Sequence, residues 1–222
     1  RQHPQFDHQL RHTAIEDYFT FGYVPEPHSI YQHSYKLSPG HTLLLKHGST
    51  SLPEPVQYWD VPTQWDKALT TDTLQQELIG RLREAVKIRL VAEVPLGAFL
   101  SGGVDSSAVV AMMAGLQQEA VNTCSIGFDN PKYNETEFAR QVAARYQTAH
   151  HESTVSENDF GLLDTLADLY DEPYADSSAI PTYRVCEMAR RNVTVALSGD
   201  GADELFAGYR RYKLHMHEQL LR

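Results

Sequence analysis

The stretch VPLGAFLSGGVDSSAVV, residues 94–110, decides the fold of this chain. Its first residues form an apolar run that predicts a buried strand, and its last residues are apolar at helical spacing. Gly102 and Gly103 lie between the two and predict a tight turn at the start of a helix. The backbone N–H groups of such a turn have no partners within the helix and lie at the positive end of its dipole. The sequence therefore predicts a phosphate-binding turn.

Asp105, in the same turn, indicates what accompanies the phosphates. No Gly-Lys-Ser/Thr follows the glycines, so the turn is not a Walker phosphate loop. A carboxylate repels bound phosphates unless a cation lies between them, and Asp105 therefore predicts Mg²⁺. Three serines would supply further hydroxyl donors: Ser101, Ser106 and Ser107. The alternative is a plain glycine turn in which Asp105 only begins a helix. It accounts for Ser-Gly-Gly alone better than for the whole of SGGVDSS.

The rest of the chain alternates predicted strands with predicted helices. Residues 121–128, 149–155 and 193–197 predict three further strands, separated by amphipathic stretches. This alternation is typical of an α/β fold with a doubly wound parallel sheet and helices on both faces. Ligands of such sheets bind beyond the carboxyl ends of the strands. One of these ends carries Ile126 and Gly127, where an apolar side chain and the backbone could hold an adenine ring.

A second glycine-rich turn follows the last predicted strand. It reads SGDGADE, residues 198–204, and carries Asp200 and Asp203. Two acid-bearing glycine turns after strands of one parallel sheet are hard to explain by packing alone. If the two turns are neighbours, Asp105 and Asp203 form a pair of Mg²⁺ ligands. For Asp203 considered by itself, the alternative is a solvated acidic loop with a helix cap.

The composition argues against several classes of protein. The 222 residues include 19 basic and 29 acidic side chains, and the net charge of −10 argues against nonspecific binding of nucleic acid. No apolar run approaches the roughly 18 residues of a membrane span, and the first residues lack the apolar core of a signal peptide. Cys124 and Cys186 lie in apolar stretches without CxxC spacing, which predicts buried, reduced thiols. We therefore expect a cytoplasmic protein with small-molecule substrates, no nucleic-acid partner and no membrane contact.

The motifs resemble those of a known family. SGGVDSS resembles the loop of ATP-dependent amidotransferases and ligases that cleave ATP between its α- and β-phosphates. VPLGAFLSGGVDSS and LSGDGADELFAGYRRY resemble the asparagine synthetase (glutamine-hydrolysing) family more narrowly. The resemblance implies the ATP-pyrophosphatase fold, which is adenine nucleotide alpha hydrolase-like. The residues that it implies for ATP binding are Leu100, Ser101, Gly102, Gly103, Asp105, Ser106, Ser107, Ile126, Gly127, Ser198 and Gly199. The implied catalytic acids are Asp105 and Asp203, which match the metal ligands, and Asp200, which falls beside the activated carboxyl group.

The first 60 residues differ from the rest and resemble another domain. FGYVP, KLSPGH and QYWD recur in the last part of the class II glutaminase domain of asparagine synthetases. Those glutaminases use an N-terminal cysteine as the nucleophile, whereas residue 1 here is Arg1 and no cysteine precedes Cys124. We interpret residues 1–60 as a C-terminal remnant of a glutaminase domain with a connector. Residues 61–222 are interpreted as an ATP-pyrophosphatase (asparagine synthase) domain truncated at its C-terminus. The resemblance leaves open a homodimer formed through the missing glutaminase part.

The resemblance implies ATP-dependent amidation of a carboxylate through an acyl-AMP, with ATP and Mg²⁺ as cofactors. The first expectation is conversion of L-aspartate to L-asparagine with glutamine-derived ammonia in the full-length protein. Two features depart from the aspartate-using pattern. Asp200 stands where the family carries a glutamate, and DEPYADSSAIPTY, residues 171–183, replaces a threonine-rich loop that helps hold the acceptor. Two alternatives stay open: a related amidotransferase that uses another carboxylate, and a nucleotide-binding fragment without turnover.

Overall fold

The computed structural model describes residues 3–62, 70–129, 134–156 and 160–220. The chain divides into two compact units, one of Arg1–Ala68 with Phe160–Ala179 and one of Leu69–Asp159 with Ile180–Arg222. The helices are α1 (His12–Phe21), α2 (Thr71–Arg89), α3 (Val104–Ala114), α4 (Thr136–Tyr146), α5 (Leu163–Leu169), α6 (Ala179–Ala189), α7 (Ala202–Phe206) and α8 (Arg210–Leu220). The strands are β1 (His41–Thr42), β2 (Val56–Gln57), β3 (Leu96–Phe99), β4 (Asn122–Phe128), β5 (Ala149–Val155) and β6 (Val195–Leu197). Within these described ranges, no helix is both long and apolar enough to cross a membrane.

The larger unit is built on a four-stranded parallel sheet. The strand order is β5-β4-β3-β6, and every neighbouring pair runs parallel. The central strand β3 pairs through Gly97 with Asn122 on one side and with Ala196 on the other. Helices α3 and α4 connect β3 to β4 and β4 to β5, as parallel neighbours require.

Helices cover both faces of this sheet. On one face, residues of α2, α3 and α4 pack on Ala98, Leu100 and Val121. On the other face, α6 packs through Met188 on Cys124 and its neighbours. The sequence-based prediction of a doubly wound α/β sheet is therefore confirmed.

Helix α2 is more exposed than its apolar pattern predicts. The pattern places Leu74, Leu78, Leu82, Ala85 and Val86 on one inward stripe, but only Val86 is buried. Leu82 is partly buried against the same core, whereas Leu74 and Leu78 are about half exposed. The helix therefore joins the core through its C-terminal half.

The smaller unit has a small core formed by Ala14, Val24 and Ile30. In the described part of this unit, strands β1 and β2 pair antiparallel over two residues each. The turns at 38–40 and 47–50 predict a strand over residues 41–46, and the observed β1 is much shorter. The sequence also predicts one short helix over 14–23, whereas α1 begins and ends two residues earlier.

Residues 160–179 lie between β5 and β6 in sequence but belong to the smaller unit. Their Glu172 carboxylate accepts a hydrogen bond from the Ile30 N–H at 3.0 Å and forms an ion pair with Lys36. The domain boundary predicted near residue 60 does not account for residues 160–179, which fold with the smaller unit. Which domains the two units represent stays a prediction.

The apolar spacing over 156–170 predicts one helix, and the observed helical segment is shorter and less regular. It consists of a 3-10 turn at Phe160–Leu162 followed by α5, and residues 157–159 lie outside the described residues. Leu166 is buried as expected, whereas Leu163 and Leu169 are more than half exposed.

Candidate functional site

The two glycine-rich turns lie where the strand order reverses. From β3 the chain proceeds through β4 to β5 on one side, and β6 then pairs with the other side of β3. The turn after β3 carries SGGVDSS, and the turn after β6 carries SGDGADE. Because β3 and β6 are adjacent and parallel, both turns leave the sheet at the same edge. Ligands of open α/β sheets bind in the crevice at such a reversal.

Serine hydroxyls hold the turn after β3 in shape. The Ser101 N–H donates to Ser106 Oγ at 3.2 Å, and the Gly103 N–H donates to Ser101 Oγ at 3.2 Å. The Ser106 hydroxyl donates to the Gly103 carbonyl at 3.3 Å, and the two hydroxyl oxygens lie 2.9 Å apart. Both hydroxyls are thus engaged within the turn, and their contact with a phosphate stays a prediction.

Gly102 and Gly103 have different roles in this turn. Gly102 has φ +86°, and a Cβ there would lie 2.6 Å from both Ala139 N and Phe138 Cβ. Both the backbone conformation and the close packing against α4 therefore require glycine. A Cβ at Gly103 would meet only Ser101 Oγ, at 3.3 Å. The fold leaves space at Gly103 that it does not leave at Gly102.

Ser107, in the first turn of α3, has an unpartnered polar atom. Its Oγ is buried and has no hydrogen-bond partner among the described residues. A buried hydroxyl without a partner costs about 1–3 kcal/mol. A phosphate oxygen is an acceptor that would satisfy it, so this hydroxyl fits an anionic ligand at the start of α3.

Gly199 brings the second turn against the first. A Cβ at Gly199 would lie 2.7 Å from Ser106 N and 3.0 Å from the Asp105 carbonyl carbon. Only a glycine allows this approach. Within the second turn, the Asp200 N–H donates to Ser198 Oγ at 3.1 Å. The two turns therefore meet at the N-terminus of α3. They are neighbours, which is the condition that the predicted pair of Mg²⁺ ligands requires.

The acids Asp105 and Asp203 lie on these turns. Asp105 is in the first turn of α3, and Asp203 is the second residue of α7. Among the described residues, no three His, Cys, Asp or Glu side chains form a group that could hold a metal. Mg²⁺ usually takes one or two carboxylates together with substrate phosphates and waters. Each acid thus supplies one carboxylate of the kind that Mg²⁺ takes, and a metal shared between them stays a prediction.

The remaining predicted contacts lie at strand ends. Ile126 is half-buried and packs beside Cys124. Gly127 is buried, and a Cβ added there would lie 2.8 Å from Thr136 Cγ2. Leu100 is buried in the core, and its N–H donates to the Cys124 carbonyl at 2.9 Å. The Leu100 side chain and N–H are thus both used by the fold.

The first turn of α4 borders the site, although the sequence did not predict it. Thr136 lies against Gly127, and Phe138 lies against Gly102. The apolar pattern of α4 places Phe138 inward with Val142 and Tyr146, yet Phe138 is 59% exposed. The sequence gives no sign that Phe138 is exposed, because Phe138 has the same helical spacing as Val142 and Tyr146.

The thiols are not activated as nucleophiles. Cys124 is buried, and burial raises its pKa. Cys186 is exposed, which corrects the prediction that both thiols are buried. Its pKa is also raised, first by desolvation and then by the charge of Asp200. A raised pKa lowers the thiolate fraction at neutral pH.

Comparison with known proteins identifies the family. The family model for asparagine synthase matches residues 77–222. The chain is 42% identical over 198 residues to a provisionally named asparagine synthetase (glutamine-hydrolysing) 2 of Methanocaldococcus jannaschii, covering 88% of this chain and 38% of that protein. It is 32% identical over 211 residues to asparagine synthetase (glutamine-hydrolysing) 1 of Bacillus subtilis, covering 94% and 33%.

At lower identity, the chain is also similar to proteins with other names. The chain is 27% identical over 236 residues to amidase chry2 of Gibberella zeae, covering 90% of this chain and 35% of that protein. Among solved structures, an NH3-dependent NAD synthetase of Campylobacter jejuni is similar at 15% identity and a TM-score of 0.42, covering 60% of each chain.

The matched region contains both glycine-rich turns and every strand of the parallel sheet. The chain spans 38% and 33% of the two asparagine synthetases it matches. Because the family model covers more than half of the 222 residues, this chain belongs to the asparagine synthase family.

Proposed function

We propose that this chain carries the nucleotide-binding part of an ATP-dependent ligase that converts a carboxylate into an amide. The observation that carries the proposal is the contact between the two glycine turns, Gly199 against Ser106, beside the buried and unpartnered Ser107 hydroxyl. Membership in the asparagine synthase family supports the reaction class. The reaction is proposed for the whole protein, because the relatives are longer than this chain.

The residues of the two turns have distinct roles in the proposed reaction. The amides at the start of α3 and the Ser107 hydroxyl bind the phosphates of ATP, and Ile126 and Gly127 border the adenine. Mg²⁺ held by Asp105 and Asp203 would withdraw charge from the phosphates of the leaving group. These groups are fixed before the substrate arrives, so they stabilise developing charge without reorganisation.

The bonds exchanged are those of a carboxylate adenylation followed by an aminolysis. A carboxylate oxygen of the acceptor attacks the α-phosphorus, the bond from this phosphorus to the bridging oxygen breaks, and pyrophosphate leaves. The product is an acyl-AMP. The nitrogen of ammonia then attacks the acyl carbon, the bond from this carbon to the AMP oxygen breaks, and the nitrogen loses a proton. The products are an amide and AMP.

L-Aspartate is the first candidate acceptor, with glutamine-derived ammonia in the full-length protein. The names of the two asparagine synthetases support this choice. A second candidate is another carboxylate. Asp200 is exposed at the second turn and is one methylene shorter than the glutamate of the family pattern, so its carboxylate reaches less far into the site.

The test is a panel of carboxylates in the presence of ATP, Mg²⁺ and ammonium, with pyrophosphate and amide measured together. It is run on this chain and on the longest natural form that contains it. Asparagine formed from aspartate supports the first candidate, and an amide formed from a different carboxylate supports the second. If the protein binds ATP but releases no pyrophosphate with any carboxylate of the panel, the ligase assignment is wrong. An Asp105→Asn variant, prepared in parallel, reports pyrophosphate release by contaminating enzymes.

A further inference from the structure

The turn Ala207–Gly208–Tyr209 closes back on Asp203, the acid of the second glycine turn. Helix α7 ends at Ala207, which has the left-handed φ of +56°. The Gly208 N–H then donates to the Asp203 carbonyl at 2.9 Å. The turn therefore returns the backbone of Gly208 to the first turn of its own helix.

Gly208 leaves room for the Asp203 carboxylate. A Cβ at Gly208 would overlap Asp203 Oδ1 and would lie 2.7 Å from Asp203 Cγ. The backbone of Gly208 is not in the left-handed region, so an alanine there causes no backbone strain. A Cβ there would also lie 3.2 Å from Asp203 Cα, so all three atoms nearest to it belong to Asp203, and the carboxylate is the group that it would displace.

Tyr209 fixes the other side of the same turn. Its hydroxyl donates to Glu204 Oε1 at 2.7 Å, and the Arg211 guanidinium lies 4.7 Å from the centre of its ring. A helix-ending turn needs only the backbone hydrogen bond and the left-handed residue at Ala207. Neither the backbone hydrogen bond nor the left-handed residue explains why the Asp203 carboxylate lies against Gly208, which has no side chain.

We propose that Gly208 is a positioning residue that sets the direction of the Asp203 carboxylate toward the metal and phosphates of the nucleotide. This inference rests on the proposed function, in which Asp203 binds Mg²⁺ together with the phosphates. Groups that orient a metal ligand typically change metal affinity by about 10–100-fold when they are altered. Gly208 acts by excluded volume, since any side chain there moves the carboxylate.

The experiment compares Gly208→Ala with a matched control, Gly80→Ala. Gly80 lies in α2, where an added Cβ meets nothing within 4 Å. Binding of Mg²⁺ to the chain with ATP present is measured by calorimetry, and unfolding midpoints are measured separately. Gly208→Ala is expected to raise the dissociation constant for Mg²⁺ by about 10–100-fold, and Gly80→Ala is expected to leave it unchanged. A Gly208→Ala variant that binds Mg²⁺ as tightly as the unsubstituted chain overturns the proposal.

A double variant separates positioning from a general effect on the fold. In an Asp203→Ala background the overlapping oxygen is gone, so adding Gly208→Ala should change the dissociation constant by less than about twofold, since groups acting through one another are non-additive. The double variant should also fold, with a midpoint near that of Asp203→Ala, because Asp203 supplies all three atoms nearest to the new Cβ and the one that stays, its Cα, lies at 3.2 Å. A double variant that does not fold, next to a folded Asp203→Ala, shows that the Cβ meets a group other than the carboxylate and overturns the proposal. Failure of the unsubstituted chain to bind Mg²⁺ with ATP contradicts the proposed function, whereas dependence on Asp203 without dependence on Gly208 contradicts the positioning role alone.

Discussion

Alanine substitutions at Gly102 and Gly103 should have opposite consequences, although the two residues are adjacent. Gly102 has φ +86° and packs against Phe138 and Ala139 of α4. Gly103 has φ −66° and ψ 164°, a conformation open to any residue, and an added Cβ there meets only Ser101 Oγ at 3.3 Å. The first substitution should therefore damage the fold, and the second should damage ligand binding.

The magnitudes follow from these contacts. For Gly102→Ala, the left-handed backbone costs about 1–2 kcal/mol and the overlap with α4 about 1–3 kcal/mol. A loss of this size lowers the Tm of a chain of this length by at least about 4 °C. For Gly103→Ala, the unfolded chain loses flexibility worth about 0.4–1 kcal/mol, which offsets the poorer helix cap. If a phosphate occupies the space at Gly103, overpacking by about 1–3 kcal/mol weakens ATP binding about 5–150-fold.

Thermal unfolding and calorimetric titration with ATP and Mg²⁺ measure the two effects separately. Gly103→Val extends the series, because a branched side chain fills more of the same space. Unchanged ATP affinity in both Gly103 variants would refute the assignment of SGGVDSS as a phosphate-binding turn. A Gly102→Ala variant as stable as the unsubstituted chain would refute the packing of this turn on α4.

Three further predictions concern the acids, the thiols and Tyr209. Asp105→Asn and Asp203→Asn should each reduce Mg²⁺-dependent pyrophosphate release by about 10²–10³ with an unchanged circular dichroism spectrum. Near-normal release from either variant contradicts a shared metal. The 222-residue chain should release no glutamate from glutamine, since the pKa of both thiols is raised, by burial at Cys124 and by desolvation and the charge of Asp200 at Cys186; release sensitive to thiol alkylation contradicts this. The hydrogen bond to Glu204 raises the pKa of Tyr209 to about 12, so the stability from this bond is complete below about pH 10 and is lost as the pH rises through about 12. Ultraviolet difference titration against Tyr209→Phe measures this pKa, and Glu204→Gln should lower it.

Much of the larger unit could be predicted because its signals are local. Strand β5 has the predicted bounds of 149–155, and β4 begins one residue later than predicted. Turn and loop residues on either side of these segments limit them in the sequence itself. The glycine turns are equally local, since a strand, two small residues and a helix start lie within a few positions of one another.

Burial was harder to predict, because it depends on what covers each helix. Leu74 and Leu78 fit the inward stripe of α2 but are about half exposed in the structure. Phe138 fits the stripe of α4 but lies against the turn at Gly102 rather than in the core. Helical spacing shows which side chains share a face, but it does not show how much of that face other parts of the chain cover.

The sequence by itself determined the class of fold, the two acid-bearing glycine turns and the family to which they point. Only the tertiary structure decided that β6 pairs beside β3, so that Gly199 lies against Ser106 and the two turns form one site. It also decided that residues 160–179 fold with the N-terminal unit, where Glu172 pairs with Lys36. Strand order and long-range pairs depend on the closure of loops that no local pattern encodes. The hydroxyl of Ser107 shows the same division: its residue type was visible in the sequence, and its lack of a partner follows only from the packed turn around it.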